Sequence, residues 1–73
     1  MQEIYIKTEF IKLNQLLKLA GILDQGSDIK YMLDAGQIRL NGAEIAERGK
    51  KIRKNDVVSV EGFEEIIVKN HEL

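Results

Sequence analysis

Five cations fall within seven residues at Arg48, Gly49, Lys50, Lys51, Ile52, Arg53 and Lys54, and the chemistry open to such a run is neutralisation of phosphates. Each phosphate met by Lys or Arg releases condensed counterions and adds a salt slope of roughly −0.7 to −0.9. Catalytic groupings are absent. His71 is the sole histidine and there is no cysteine, so neither a Ser-His-Asp arrangement nor a His- or Cys-rich metal site can be assembled. No Gly-x4-Gly-Lys-Ser/Thr phosphate loop occurs. Glu64 and Glu65, expected in a strand, would point to opposite faces and solubilise it rather than share a proton. A non-enzymatic protein with no cofactor and no metal is therefore expected.

The positive charge is local. The 73 residues carry 11 Lys or Arg and 12 Asp or Glu, a net charge of −1, yet residues 30–54 sum to +4 and residues 55–73 to −4. Such segregation orients a bound polyanion while limiting indiscriminate adhesion. Structured RNA is the intracellular polyanion that fits. Tyr5, Phe10, Tyr31 and Phe63 are the aromatics, and they do not read as the stacking platform of a single-strand binder. Recognition of backbone and shape is expected instead.

A chain of this length allows one small domain, burying roughly 60 per cent of its unfolded surface. Without disulfides the fold must rest on its apolar core, as in a reducing compartment. The N-terminus shows neither a signal-peptide pattern nor a membrane span. A cytoplasmic, monomeric protein with no membrane association is expected.

The elements that must position the cations can be read in order. Residues 3–7 alternate as a first strand, with Ile4 and Ile6 on one side. Leu13, Leu16, Leu17 and Ala20 follow the i, i+3, i+4, i+7 pattern of a helix. Gly21 should stop it, with Ile22 folding back on Leu17. Ser27 is a good N-cap and Asp28 suits the positive end of a second helix, which runs to about Ala35, buries Ile29, Met32 and Leu33, and stops at Gly36. Residues 37–40 form a strand, Asn41 and Gly42 a type I′ turn, and residues 43–46 the return strand. Residues 48–54 form a basic loop anchored by Ile52, followed by a strand at 56–60, a turn at Glu61 and Gly62, a last strand at 63–68 and a frayed tail at 70–73. The order β-αα-ββ-ββ makes an α+β domain.

Lys12-Leu13-Asn14, Ile29-Lys30, Leu33 through Gly36, Ile38 through Gly42, and Asn55-Asp56 resemble the S-four RNA-binding domain, over about residues 12–60. The stretch from Gly36 to Gly42 is the most specific part. The chain is especially similar to short stand-alone bacterial members, the YbcJ/YaaA type, which add an N-terminal strand and carry an Arg-Gly-x-Lys-like loop where Arg48 to Lys51 stand here. The resemblance implies the S-four-like (alpha-L motif) fold, two short helices packed on a small antiparallel sheet. It also implies docking on structured RNA, with members associated with ribosomal RNA and ribosome assembly. Carried over residue by residue, it marks Lys12, Lys30 and Arg39 as RNA-facing, with Asn41 and Gly42 shaping the edge. The chain departs from the family pattern in three places. Gln25-Gly26 replaces a common Ser-Arg, Asn14 stands where Asp is usual, and Asn55 replaces a glycine whose left-handed geometry it tolerates.

Two positions read two ways on physical grounds. Lys30, in the first turn of helix two, could seat a phosphate beside unsatisfied amides; equally, Ser27 already caps that helix and Asp28 repels an anion. Arg39 could hold a phosphate bidentately or stack on a base, or pair with Glu44 across the hairpin. With the loop cations, the candidate RNA-binding set is Lys12, Lys30, Arg39, Asn41, Gly42, Arg48, Lys50, Lys51, Arg53 and Lys54. The competing readings are a protein-interaction adaptor that docks through its acidic tail or sheet edge, and an RNA-targeting accessory of an RNA-modifying enzyme.

Overall fold

The computed structural model describes residues 1–24 and 29–71. Among them the chain forms β1 (Gln2–Ile6), β2 (Phe10–Lys12), α1 (Leu13–Leu19), α2 (Lys30–Asp34), β3 (Ile38–Leu40), β4 (Ala43–Glu44), β5 (Lys51–Arg53), β6 (Val57–Val60) and β7 (Ile66–Asn70). The apolar stripe predicted for α1 is buried, with Leu13, Leu16 and Leu17 fully enclosed. Its stop forms as the glycine implies. Gly21 adopts φ +78, its N–H donates to the Lys18 carbonyl at 3.1 Å, and the Ile22 N–H reaches back to the Leu17 carbonyl at 2.9 Å, the paired bonds of a Schellman closure. Gly36 ends α2 in the same way, through Gly36 to Leu33 and Gln37 to Met32 bonds of 3.0 Å each. The cap expected at Ser27, Asp28 beside it and the Gln25-Gly26 departure lie outside the described residues. Helices of seven and five residues cannot persist alone, and packing on the sheet holds them.

The main sheet runs β1-β7-β6-β3-β4. Ile38, Val58, Val60, Ile66 and Val68 line its inner face and meet Leu13, Leu16, Leu17, Ile29 and Leu33. The sheet is mixed rather than wholly antiparallel, because the added N-terminal strand β1 pairs parallel with β7. Almost the whole domain connects these two strands, so no hairpin dictates their sense. Parallel pairing also ties down the C-terminal segment. Asn70, expected to begin a frayed tail, closes β7; its Nδ2 donates to the Thr8 carbonyl at 3.1 Å and the His71 N–H donates to the Ile6 carbonyl at 2.9 Å. Glu72 and Leu73 lie outside the described residues.

The last strand starts at Ile66, later than the alternation suggested, so Glu64 and Glu65 do not sit on opposite faces of a strand. Glu64 instead pairs with the Met1 α-amino group at 2.6 Å, and Glu65 accepts the Ser59 hydroxyl at 2.9 Å. The return strand of the hairpin is shorter than expected, Ala43–Glu44. Its turn has the predicted form, with Asn41 at φ 51 and Gly42 at φ 87, the left-handed pair that a type I′ turn requires.

Asn41 does more than turn the chain. The Val57 N–H donates to its Oδ1 at 2.9 Å, and its Nδ2 donates to Asp56 Oδ1 at 3.1 Å. The other Asp56 oxygen accepts the Arg53 N–H at 2.8 Å. One carboxylate thus ties the hairpin turn to the end of β5. Asp56→Ala should destabilise the domain by about 1–3 kcal/mol, since two donors lose a charged acceptor; urea unfolding checks this, and an unchanged midpoint would show the tie to be dispensable.

Candidate nucleic-acid interface

The segment expected to be a loop contains a strand. β5 pairs antiparallel with β2 in a separate two-stranded ribbon, in the register Phe10 to Arg53, Ile11 to Ile52 and Lys12 to Lys51. Alternation turns Ile52, fully buried, and Ile11 toward the core. It turns Phe10, Lys12, Lys51 and Arg53 outward on one face. The anchoring role expected of Ile52 is realised, through a cross-strand pair rather than a loop contact. Lys12 and Lys51, distant in sequence, are thereby directly opposite.

Phe10 organises that face. Lys51 Nζ lies 4.9 Å from the centre of its ring and Arg53 Cζ lies 5.7 Å from it, both within cation–π range. Local sequence gives Phe10 no evident role, because a three-residue strand carries too little periodicity to recognise. Phe10→Leu keeps the apolar volume but removes the π face. It should weaken RNA binding about three- to ten-fold by freeing two cations, with the salt slope unchanged because no charge is lost; filter binding across a salt series distinguishes this from loss of a phosphate contact.

The loop preceding β5 is held by the start of α1. The Leu13 N–H donates to the Lys50 carbonyl at 2.9 Å and the Asn14 N–H to the Arg48 carbonyl at 3.2 Å. Lys12 occupies the N-cap position and makes no side-chain cap bond. Backbone carbonyls from the basic segment meet the orphan amides that a Ser or Asp side chain ordinarily satisfies. This leaves the Lys12 side chain exposed on the ribbon. A lysine directly before an apolar helical stripe was the available sequence signal that another segment does the capping. Glu47, Gly49, Lys50, Lys51 and Arg53 line a shallow depression of about 350 Å³, in which one carboxylate accompanies three cations.

The structure therefore gathers Lys12, Lys51 and Arg53 on one face, with Lys50 in the adjoining depression. Arg48 precedes β5 and Lys54 follows it, and each has an interaction within the molecule. Lys30 is exposed at the first position of α2, outside the ribbon, and is likewise engaged. Arg39 projects from the opposite, outer face of the main sheet, because its neighbours Ile38 and Leu40 turn inward; Ser59 and Glu44 stand beside it in register. Asn41 has both side-chain heteroatoms engaged inside the fold, and Gly42 completes the turn. Among the described residues no helix is long and apolar enough to cross a membrane.

A short-helix pair on a sheet, a type I′ hairpin and a following Asn-Asp turn are the features that define the class. The family model for the S4 domain matches residues 4–69, and the chain belongs to that family. The match reaches beyond the motif core of residues 12–60 to include the last three residues of β1 and most of β7. Among curated proteins, the chain is 40% identical over 60 residues to "Probable ribosome maturation protein RlbA" of Bacillus subtilis (strain 168), covering 82% of this chain and 84% of that one. It is 33% identical over 57 residues to a tyrosine–tRNA ligase of Nitrosomonas europaea, covering 78% of this chain but 14% of the ligase.

Proposed function

We propose that this chain is a non-catalytic, cytoplasmic RNA-binding protein that docks as a monomer on structured RNA, ribosomal RNA or a ribosome-assembly particle, through backbone and shape. The observation that carries the reading is the outer face of the β2–β5 ribbon, where Lys12, Lys51 and Arg53 share one surface with Phe10. Directly opposed like charges are unfavourable in a strand pair, so the Lys12–Lys51 pair is better suited to a bound anion than to the free fold. Lys50 adds a fourth cation, and Arg48, Lys54 and Lys30 extend the positive field. The name of the Bacillus relative supports ribosome maturation as the process.

Gel shift with a structured RNA and with duplex DNA at two salt concentrations tests the proposal. RNA retention should fall with salt, whereas a protein-interaction adaptor would show no salt-sensitive retention. Sequencing RNA crosslinked to the protein in cells would identify the target; recovery without ribosomal RNA would refute the assignment. The tyrosine–tRNA ligase match favours a second reading, in which the chain targets a separate RNA-acting enzyme to its substrate. A pull-down that recovers such an enzyme stoichiometrically would select it.

A further inference from the structure

At the far end of β6 from the Asn41–Asp56 tie, a groove of about 480 Å³ opens between the start of β3 and the turn after β6, with Gln37, Arg39, Ser59, Glu61, Gly62 and Phe63 among its walls. Phe63 is 51% exposed, an aromatic face left to solvent. The floor is held by backbone bonds, Glu61 N–H to the Gln37 carbonyl at 2.9 Å and Phe63 N–H to the Val60 carbonyl at 3.0 Å. Ser59 is already bonded to Glu65. The Arg39 guanidinium, the Gln37 amide and the Glu61 carboxylate have no hydrogen-bond or ion-pair partner among the described residues.

An aromatic wall with a few convergent polar groups is the usual form of a small-ligand site. Here the polar groups include a guanidinium fork and a carboxylate, which ask for complementary edges on one planar ligand. A fork binds two adjacent acceptors, as guanine O6 and N7 provide. A carboxylate binds two adjacent donors, as guanine N1–H and N2–H₂ provide. Adenine offers a donor at N6 where the fork needs an acceptor. Using both edges requires an unpaired base, which can also stack on Phe63.

We infer that this groove is a seat for an unpaired guanine base, stacked on Phe63 and held between Arg39 and Glu61. It lies apart from the ribbon, so its success or failure is separate from that of the RNA-docking proposal. The base comes from a free guanine nucleotide or from an extruded guanosine in RNA, and the test distinguishes these sources.

Backbone NMR of the full chain reads the result. Millimolar GMP should shift the Gly36, Gly62 and Phe63 amides saturably, at least about five-fold more tightly than AMP, while ribose 5-phosphate leaves them unmoved. Phe63→Leu and Arg39→Gln should each weaken binding. Glu61→Gln, an exposed change with little bearing on folding, should narrow the preference for GMP over AMP. Tighter binding at these amides by an RNA hairpin with one bulged guanosine than by GMP would assign the base to RNA; equal binding would assign it to the free nucleotide. Absence of shifts with either ligand, equal shifts with GMP and AMP, or an unaltered preference in Glu61→Gln would overturn the inference.

Discussion

Replacing Lys12, Lys51 and Arg53 together with Gln should lower affinity for structured RNA by roughly 100-fold at about 0.15 M salt, since a slope near −0.8 per phosphate corresponds to roughly five-fold per contact at that concentration. The slope of log affinity against log salt should flatten by about 2 to 2.5. Stability should change little, because loss of the two cation–π contacts on Phe10, about 0.5–1 kcal/mol each, is opposed by relief of charge repulsion. Lys12 and Lys51 face each other in the strand pair, and removing like charges from such a pair relieves repulsion of about 0.2–1 kcal/mol. Three exposed substitutions otherwise change stability by within about 0.5 kcal/mol each. Binding isotherms over a salt series and thermal melts of the same variant make the comparison. Unchanged RNA affinity would remove the ribbon as the interface, and a large drop in melting temperature would make its cations structural.

Ile52→Ala should produce the largest loss of stability among single substitutions in the ribbon, about 2–5 kcal/mol, because a fully buried side chain leaves a cavity that neighbours fill only in part. Total stability for a domain of this size is on the order of 4–11 kcal/mol, so the variant should melt roughly 10–30 °C lower. RNA binding should weaken with it, because Ile52 and Ile11 pack the inner side of the ribbon against the core. Ile52→Val, costing about 0.5–1.5 kcal/mol, should retain binding and serves as the matched control. Urea unfolding with a cost below about 1 kcal/mol for Ile52→Ala would mean that the ribbon is only loosely attached to the core.

Much of the scaffold was legible locally. The Leu13, Leu16, Leu17 stripe, the glycine stops at Gly21 and Gly36 and the Asn41-Gly42 turn each depend on residues close together in sequence, and each formed as expected. Asn55, at φ 72, takes the left-handed geometry that the family glycine would supply. The structure departs from local expectation where partners are far apart. Nothing near residues 48–54 announces a strand, because β5 exists only through its pairing with β2, which lies some forty residues earlier in the chain. Three residues of alternation on each side leave no periodic signal. The role of Phe10 is hidden from local sequence for the same reason. The parallel sense of β1 and the anchoring of Asn70 likewise depend on contacts between the two ends of the chain.

The candidate surface divides along the same line. Composition identified the cations, and the charge asymmetry between residues 30–54 and 55–73 identified the segment that carries them. Which side of the molecule each one occupies was settled by strand alternation on two different sheets: Arg39 lies between two inward-facing residues of the main sheet, whereas Lys51 and Arg53 flank Ile52 on the ribbon. Helix stops, the turn and the hydrophobic faces are encoded locally, because they follow from the conformational preferences of neighbouring residues. Which charges become neighbours is set by the folded whole, since it depends on a strand pairing whose loop-closure cost is offset by burying Ile52 and packing Ile11 against a core built from the whole chain.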